Sequence, residues 1–164
     1  LILAAFTVAY SVYQFVEGAI GNGIFLLLIA GMFILLYYKN EFILLAFLQL
    51  RKQNFEGTVK WLNRISNPEQ NLVKKQQGYF NYLHGIILSQ TNLTKAEKYF
   101  KKAIELGLSM DTDLAMANLS LSGIYMQKRR KREATLLLNK AKKLDTQGVL
   151  TGQIKEMQKQ MKRI

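Results

Sequence analysis

Lys95-Ala-Glu-Lys-Tyr-Phe-Lys-Lys-Ala-Ile-Glu-Leu106 decides how the rest of the chain is read. Ala96, Phe100 and Ala103 recur at helical spacing, so they share one face. Small residues at 96 and 103 let a paired helix approach closely, and Phe100 fills the space between the two. The same pattern returns at Ala134, Leu138 and Ala141, with Leu121 and Tyr125 upstream. A weaker first copy is placed at Gly57 and Trp61, preceded by Leu44 and Leu48. The steps from Gly57 to Ala96 and from Ala96 to Ala134 are 39 and 38 residues. A period of that size marks a stack of helix pairs.

The segment 95–106 resembles the second helix of a tetratricopeptide repeat (TPR). Phe80 and Leu83 match the Trp-x2-Leu part of that family's first helix, with His84 where the family has Gly and Gly85 one position late. The resemblance covers roughly Glu41–Asp145. It departs from the family at Leu108 and Thr146, which stand where the terminal Pro falls, and at Arg64 in place of a small residue. The period also exceeds the family's usual figure of about 34. The resemblance implies an α-solenoid of about three helix pairs over 39–147, closed by a basic capping helix over 148–164. It also implies a concave face built from first-helix residues, here Asn81, Leu88, Leu119 and Met126 with Gln127 beside them. That set is apolar and amide-like, which points to an apolar segment of a protein partner. A plain stack of helical hairpins outside the family is the alternative.

Local signals place the helix ends. Asn67-Pro68 puts Pro at a first helical position. Thr94-Lys-Ala-Glu97 reads as a capping box. Asp111 and Asp113 favour a helix start, and Gly107 and Gly148 read as helix stops. Ile154, Met157 and Met161 supply the apolar side of the terminal helix.

The chain before Lys39 is different in kind. Residues 1–38 contain one charged side chain, Glu17, whereas the remainder holds all 23 Lys and Arg and ten of the 11 acids, a net +13. Leu1–Val16 and Ile24–Tyr38 are apolar runs separated by Glu17-Gly-Ala-Ile-Gly-Asn-Gly23. This predicts a transmembrane helical hairpin over 1–38, with its turn near 17–23 and Tyr37, Tyr38 and Lys39 at the interface. The first run is shorter than the roughly 20 residues of a span, so residues are expected before Leu1. Ile24–Leu50 is expected to continue as one helix. Lys39, Arg51 and Lys52 flank the second run and no basic residue lies in the turn, which places the repeat domain in the cytoplasm. The alternative is that both runs are buried helices of a bundle.

No catalytic constellation is visible. There is no Cys and one His, His84, so neither a thiolate nor a zinc set is available. Gly18, Gly21 and Gly23 lie between apolar runs rather than between a strand and a helix, so they form no nucleotide loop. Glu17 reads as an interfacial or an intramembrane acid. No cofactor and no enzymatic activity are expected. Lys128-Arg-Arg-Lys-Arg132 is a solvated turn or a contact for anionic lipid, RNA phosphates or an acidic protein. The leading expectation is a membrane-anchored adaptor or accessory subunit that binds protein, with an anionic bilayer as a further contact. The alternative is a membrane-tethered factor docking RNA or ribosomes through its basic surface.

Overall fold

The computed structural model describes residues 2–38 and 40–163, with side chains of 35–38 outside the description. Among the described residues the chain is all-α: α1 Ile2–Val16, α2 Ile20–Tyr38, α3 Glu41–Arg51, α4 Phe55–Leu62, α5 Pro68–Asn71, α6 Lys74–Leu88, α7 Leu93–Leu106, α8 Asp111–Gln127, α9 Lys131–Leu144 and α10 Thr151–Lys162. Two compact units result, Leu1–Leu44 and Leu45–Ile164.

In the first unit α1 and α2 form a hairpin. The reversal is only Glu17–Ala19, shorter than the expected 17–23, because Gly18 alone supplies the left-handed residue (φ 81°). Gly21 and Gly23 are helical instead. Gly23 is needed for close approach: a Cβ there would sit 2.7 Å from the Phe15 ring. The continuous helix expected over Ile24–Leu50 is also corrected. α2 ends at Tyr38 and α3 begins at Glu41, where the Asn40 side chain accepts from the Phe42 N–H at 3.0 Å. An Asn that satisfies a free N–H starts a new helix more readily than it extends an old one. Lys39 and the side chains of Tyr37 and Tyr38, assigned to the interface, lie outside the described residues.

In the second unit α6 pairs with α7 and α8 with α9, and α10 packs on α8 and α9. The repeated triad forms the core: Ala96, Phe100 and Ala103 on α7, and Ala134, Leu138 and Ala141 on α9, are all essentially inaccessible. Gly85 lies directly under Phe100, where a Cβ would come within 2.9 Å of the ring. Gly85 therefore provides the close approach that His84, stacked on Tyr99 at 5.1 Å, does not.

The register of the first copy needs correction by one residue. The buried positions of α4 and its exit are Thr58, Leu62 and Ile65, not Gly57, Trp61 and Arg64, and Leu44 and Leu48 on α3 are exposed. Thr58 to Ala96 and Ala96 to Ala134 are then both 38 residues. Ile65, not Arg64, fills the third position of the pattern, while the Arg64 guanidinium lies 4.5 Å over the Trp61 ring.

The caps follow the same period. Asn54 accepts from Gly57 N–H at 2.9 Å and Asn92 from Lys95 N–H at 3.0 Å. Asn92, two residues before Thr94, is therefore the N-cap of α7, and the expected capping box is not used. Pro68 does open α5, and Gly107 does close α7 with φ 76°. α9 instead ends at Leu144, capped by Asp145, and Gly148 (φ 71°) turns the chain into α10. Ile154 and Met161 bury the inner side of α10.

Candidate interaction surfaces

The hairpin has its burial inverted. Among the described residues Ala4, Ser11, Gly23 and Ala30 are its buried ones, each pair seven apart on its helix. The large side chains face outward: Leu3, Phe6, Val12, Phe25, Leu28 and Met32 are all exposed, Phe6 at 73%. Polar groups bond inside the hairpin. Ser11 Oγ donates to Gly23 O at 2.8 Å, Thr7 Oγ1 donates to Leu3 O at 2.8 Å, and Tyr13 donates to the Glu17 carboxylate. In water the reverse sorting is expected, since exposed apolar patches beyond a few hundred Å² are rare on monomeric proteins. Where the solvent is itself apolar, helices meet through small residues and hydroxyls. Among the described residues, no helix is long and apolar enough to cross a membrane.

The five residues assigned to a concave partner face do not converge. Asn81, Leu119 and Met126 are buried, Leu88 is half-buried and Gln127 is exposed. Asn81 donates to Gln77 O at 2.7 Å and lines a cavity of about 180 Å³ with Phe80, Tyr99 and the Lys102–Glu69 ion pair. Leu119 instead lines an open groove of about 540 Å³ between α8 and α10, with Met116, Ser120, Gln153, Glu156, Met157 and Gln160. The sequence reading missed most of this groove, although a signal existed: Met157 follows Leu119 by one period of 38, so α10 repeats the first helix of a pair. Gln153 and Gln160 flank it, giving a lining of thioether, aliphatic and amide groups suited to an adaptable apolar contact.

The basic turn Lys128–Arg132 divides internally. Lys128 and Arg130 are engaged by Glu97, a carboxylate buried on α7. Lys128 Nζ reaches Glu97 Oε2 at 2.7 Å, Lys101 Nζ reaches Oε1 at 2.6 Å, and Arg130 Nη1 reaches Oε1 at 3.3 Å. Burial pushes the Glu97 carboxyl up, but the hydrogen bonds from Lys101 and Lys128 outweigh it and bring it down to about 2. Arg130 also clamps Glu133 with two N–H groups and lies 4.3 Å over the Tyr125 ring. Arg129, Lys131 and Arg132 remain exposed. The pentad is thus partly a clasp holding the α8–α9 turn to α7.

Burial holds the His84 imidazole below its ordinary range, between Phe80 and Tyr99. Asp113 accepts from Tyr79 at 2.6 Å, and burial with that bond pushes the Tyr79 phenol up to about 12. These contacts tie α6 to its neighbours. Among the described residues, no group of three His, Cys, Asp or Glu could hold a metal ion.

No family model matches the chain, and no curated protein and no solved structure matches it.

Proposed function

We propose that this chain is a membrane-anchored adaptor or accessory subunit that binds protein and carries no catalytic site. The inverted burial of the hairpin is the observation that supports the anchor. Its outward surface is predominantly apolar, and its buried hydroxyl, Ser11, is satisfied within the hairpin by Gly23 O, as an apolar solvent favours. α2, at 19 residues, extends about 28 Å at the usual rise and α1, at 15, about 22 Å. The reading rests on this distribution of side chains rather than on helix length. Arg51 and Lys52 after the hairpin, against a turn with no basic residue, favour the cytoplasmic side for the second unit.

The second unit then acts as a TPR-like receptor for a partner segment. The α8–α10 groove is the best-formed seat for it, and Leu119 is the one predicted contact residue that lines it. Such tethering raises the local concentration of a bound partner without new contacts.

The test is extraction of the full chain from its own membrane in mild detergent, followed by mass spectrometry of what co-purifies. Stoichiometric membrane proteins that survive nuclease and salt, and that are lost in Met157→Glu, support the reading. Release of the chain by alkaline carbonate without detergent overturns the anchor. Recovery of RNA or ribosomal proteins alone, lost in salt, overturns the adaptor in favour of the docking factor.

A further inference from the structure

We propose that the outer flank of α9 and α10 is a docking surface for the headgroups of an anionic lipid bilayer. The proposal rests on the membrane-anchor reading above and adds a second contact, distinct from the hairpin and from the clasp that Lys128 and Arg130 make with Glu97.

The argument begins with where charge is neutralised. The ion pairs among the described residues use Lys101, Lys102, Lys128 and Arg130 as cations. None involves the nine Lys and Arg from Lys131 to Arg163. Of the 18 described Lys and Arg that no ion pair uses, nine therefore lie in this stretch of 33 residues.

Helical spacing gathers it on one flank. On α9, Arg132, Thr135, Asn139 and Lys143 follow one stripe at intervals of three and four, with Lys142 next to it. This stripe borders α10, because Thr135 Oγ1 lies 3.5 Å from Met161 Sδ. On α10, Lys155, Lys159 and Lys162 form a stripe of their own and all are exposed. The acids fall elsewhere. Glu133 is held by Arg130, Asp145 is buried and accepts from the Leu150 N–H, and Glu156 faces the groove toward α8. The flank thus presents cations with no acid among them.

The chemistry of the flank selects its partner. Residues 131–163 contain no Phe, Tyr or Trp, so no platform exists for stacking nucleobases. Seven of the nine cations are Lys, hydrated point charges on flexible stems, rather than the planar forks that read phosphates bidentately. A diffuse, pocketless field of Lys matches a diffuse anionic surface, and a bilayer supplies one to a chain already anchored in it.

The chain lacks Cys, so Asn139→Cys gives a single labelling site on the flank. The labelled full chain is reconstituted in phosphatidylcholine vesicles with and without phosphatidylserine, each carrying a headgroup quencher. Quenching about five-fold stronger with phosphatidylserine is expected, and it should collapse near 1 M salt, where the Debye length is about 3 Å. Replacing Lys142, Lys143, Lys155, Lys159 and Lys162 with Gln, with helicity unchanged by circular dichroism, should abolish the difference. Equal quenching in the two vesicle types overturns the proposal and needs no variant to fold. Displacement of the label by added RNA, at levels that leave the vesicles intact, reassigns the flank to nucleic acid and overturns it too. Flotation in high salt is scored in parallel with quenching in low salt: chains that float but show no phosphatidylserine-dependent quenching in low salt overturn the flank alone, whereas chains that fail to float overturn the anchor.

Discussion

Lys128 Nζ donates to Glu97 Oε2 at 2.7 Å, joining the turn that closes the last helix pair to the middle of the preceding one across 31 residues. Because the Glu97 carboxyl titrates at about 2 when folded, against 4.5 ordinarily, the clasp contributes stability above pH about 4.5. That contribution is lost as pH falls through about 2. Its size is about 2 kcal/mol, reduced from the full linkage value because Lys101 and Arg130 are substantially exposed. Urea denaturation of the wild type should show this decline between pH 4.5 and 2. Glu97→Gln should be less stable at neutral pH and flatter across that interval. An identical pH slope in the variant would rule out the clasp.

Gly85 and Gly123 occupy equivalent positions, 38 residues apart, and should respond oppositely to alanine. A Cβ at 85 meets the buried Phe100 ring at 2.9 Å, so Gly85→Ala should cost about 1–3 kcal/mol. At 123 the nearest atom is Met157 Cε at 3.5 Å, an ordinary contact, so Gly123→Ala should stabilise by about 0.5–1 kcal/mol through helix propensity. Thermal unfolding of the two single variants, side by side, checks the pair.

Arg129, between α8 and α9, and Gln53, between α3 and α4, both adopt φ 58°, a conformation that costs a side chain about 1 kcal/mol. Arg129→Gly and Gln53→Gly should each stabilise by about 0.5–1 kcal/mol. Thr91 holds the corresponding place in the middle copy without positive φ, so Thr91→Gly should bring no gain. A loss of stability in Arg129→Gly would mean that the arginine side chain matters more than the backbone strain.

The hairpin allows a test of inside against outside. Ser11 is fully buried and bonded to Gly23 O, so Ser11→Leu should force α1 and α2 apart. Leu28, 69% exposed, should accept Ser with the hairpin intact but with weaker retention in membranes. Cysteine cross-linking between the helices and carbonate extraction separate the two effects. Membrane retention untouched by Phe6→Ser and Leu28→Ser together would argue against an apolar environment for the outer surface.

The helices themselves were legible because periodicity reports which side chains share a face. Ala96, Phe100 and Ala103 announced α7, and the copy at 134–141 announced α9, since a small-large-small face serves only to receive another helix closely. Copy one was misread by one residue because Gly57 and Trp61 imitate that pattern more closely than Thr58, Leu62 and Ile65 do. The N-cap was misplaced because Thr94-x-x-Glu97 has the form of a capping box, while Glu97 is drawn away by Lys101, Lys128 and Arg130. The partner residues were less legible still. A first-helix position on a concave face and one in the core share a period, and only packing separates exposed Gln127 from buried Asn81 and Met126.

The sequence by itself determined that the chain is helical, that its second part repeats, and that Lys and Arg are absent before Lys39. Those are properties of residue order, and spacing and composition express them directly. Only the tertiary structure decided that the hairpin turns its small residues inward, that Lys128 and Arg130 are occupied by Glu97, and that the groove lies between α8 and α10. Each depends on which of several available faces meets a neighbour far along the chain. That choice is made by close packing and by the cost of burying an unpaired charge, neither of which is local in sequence.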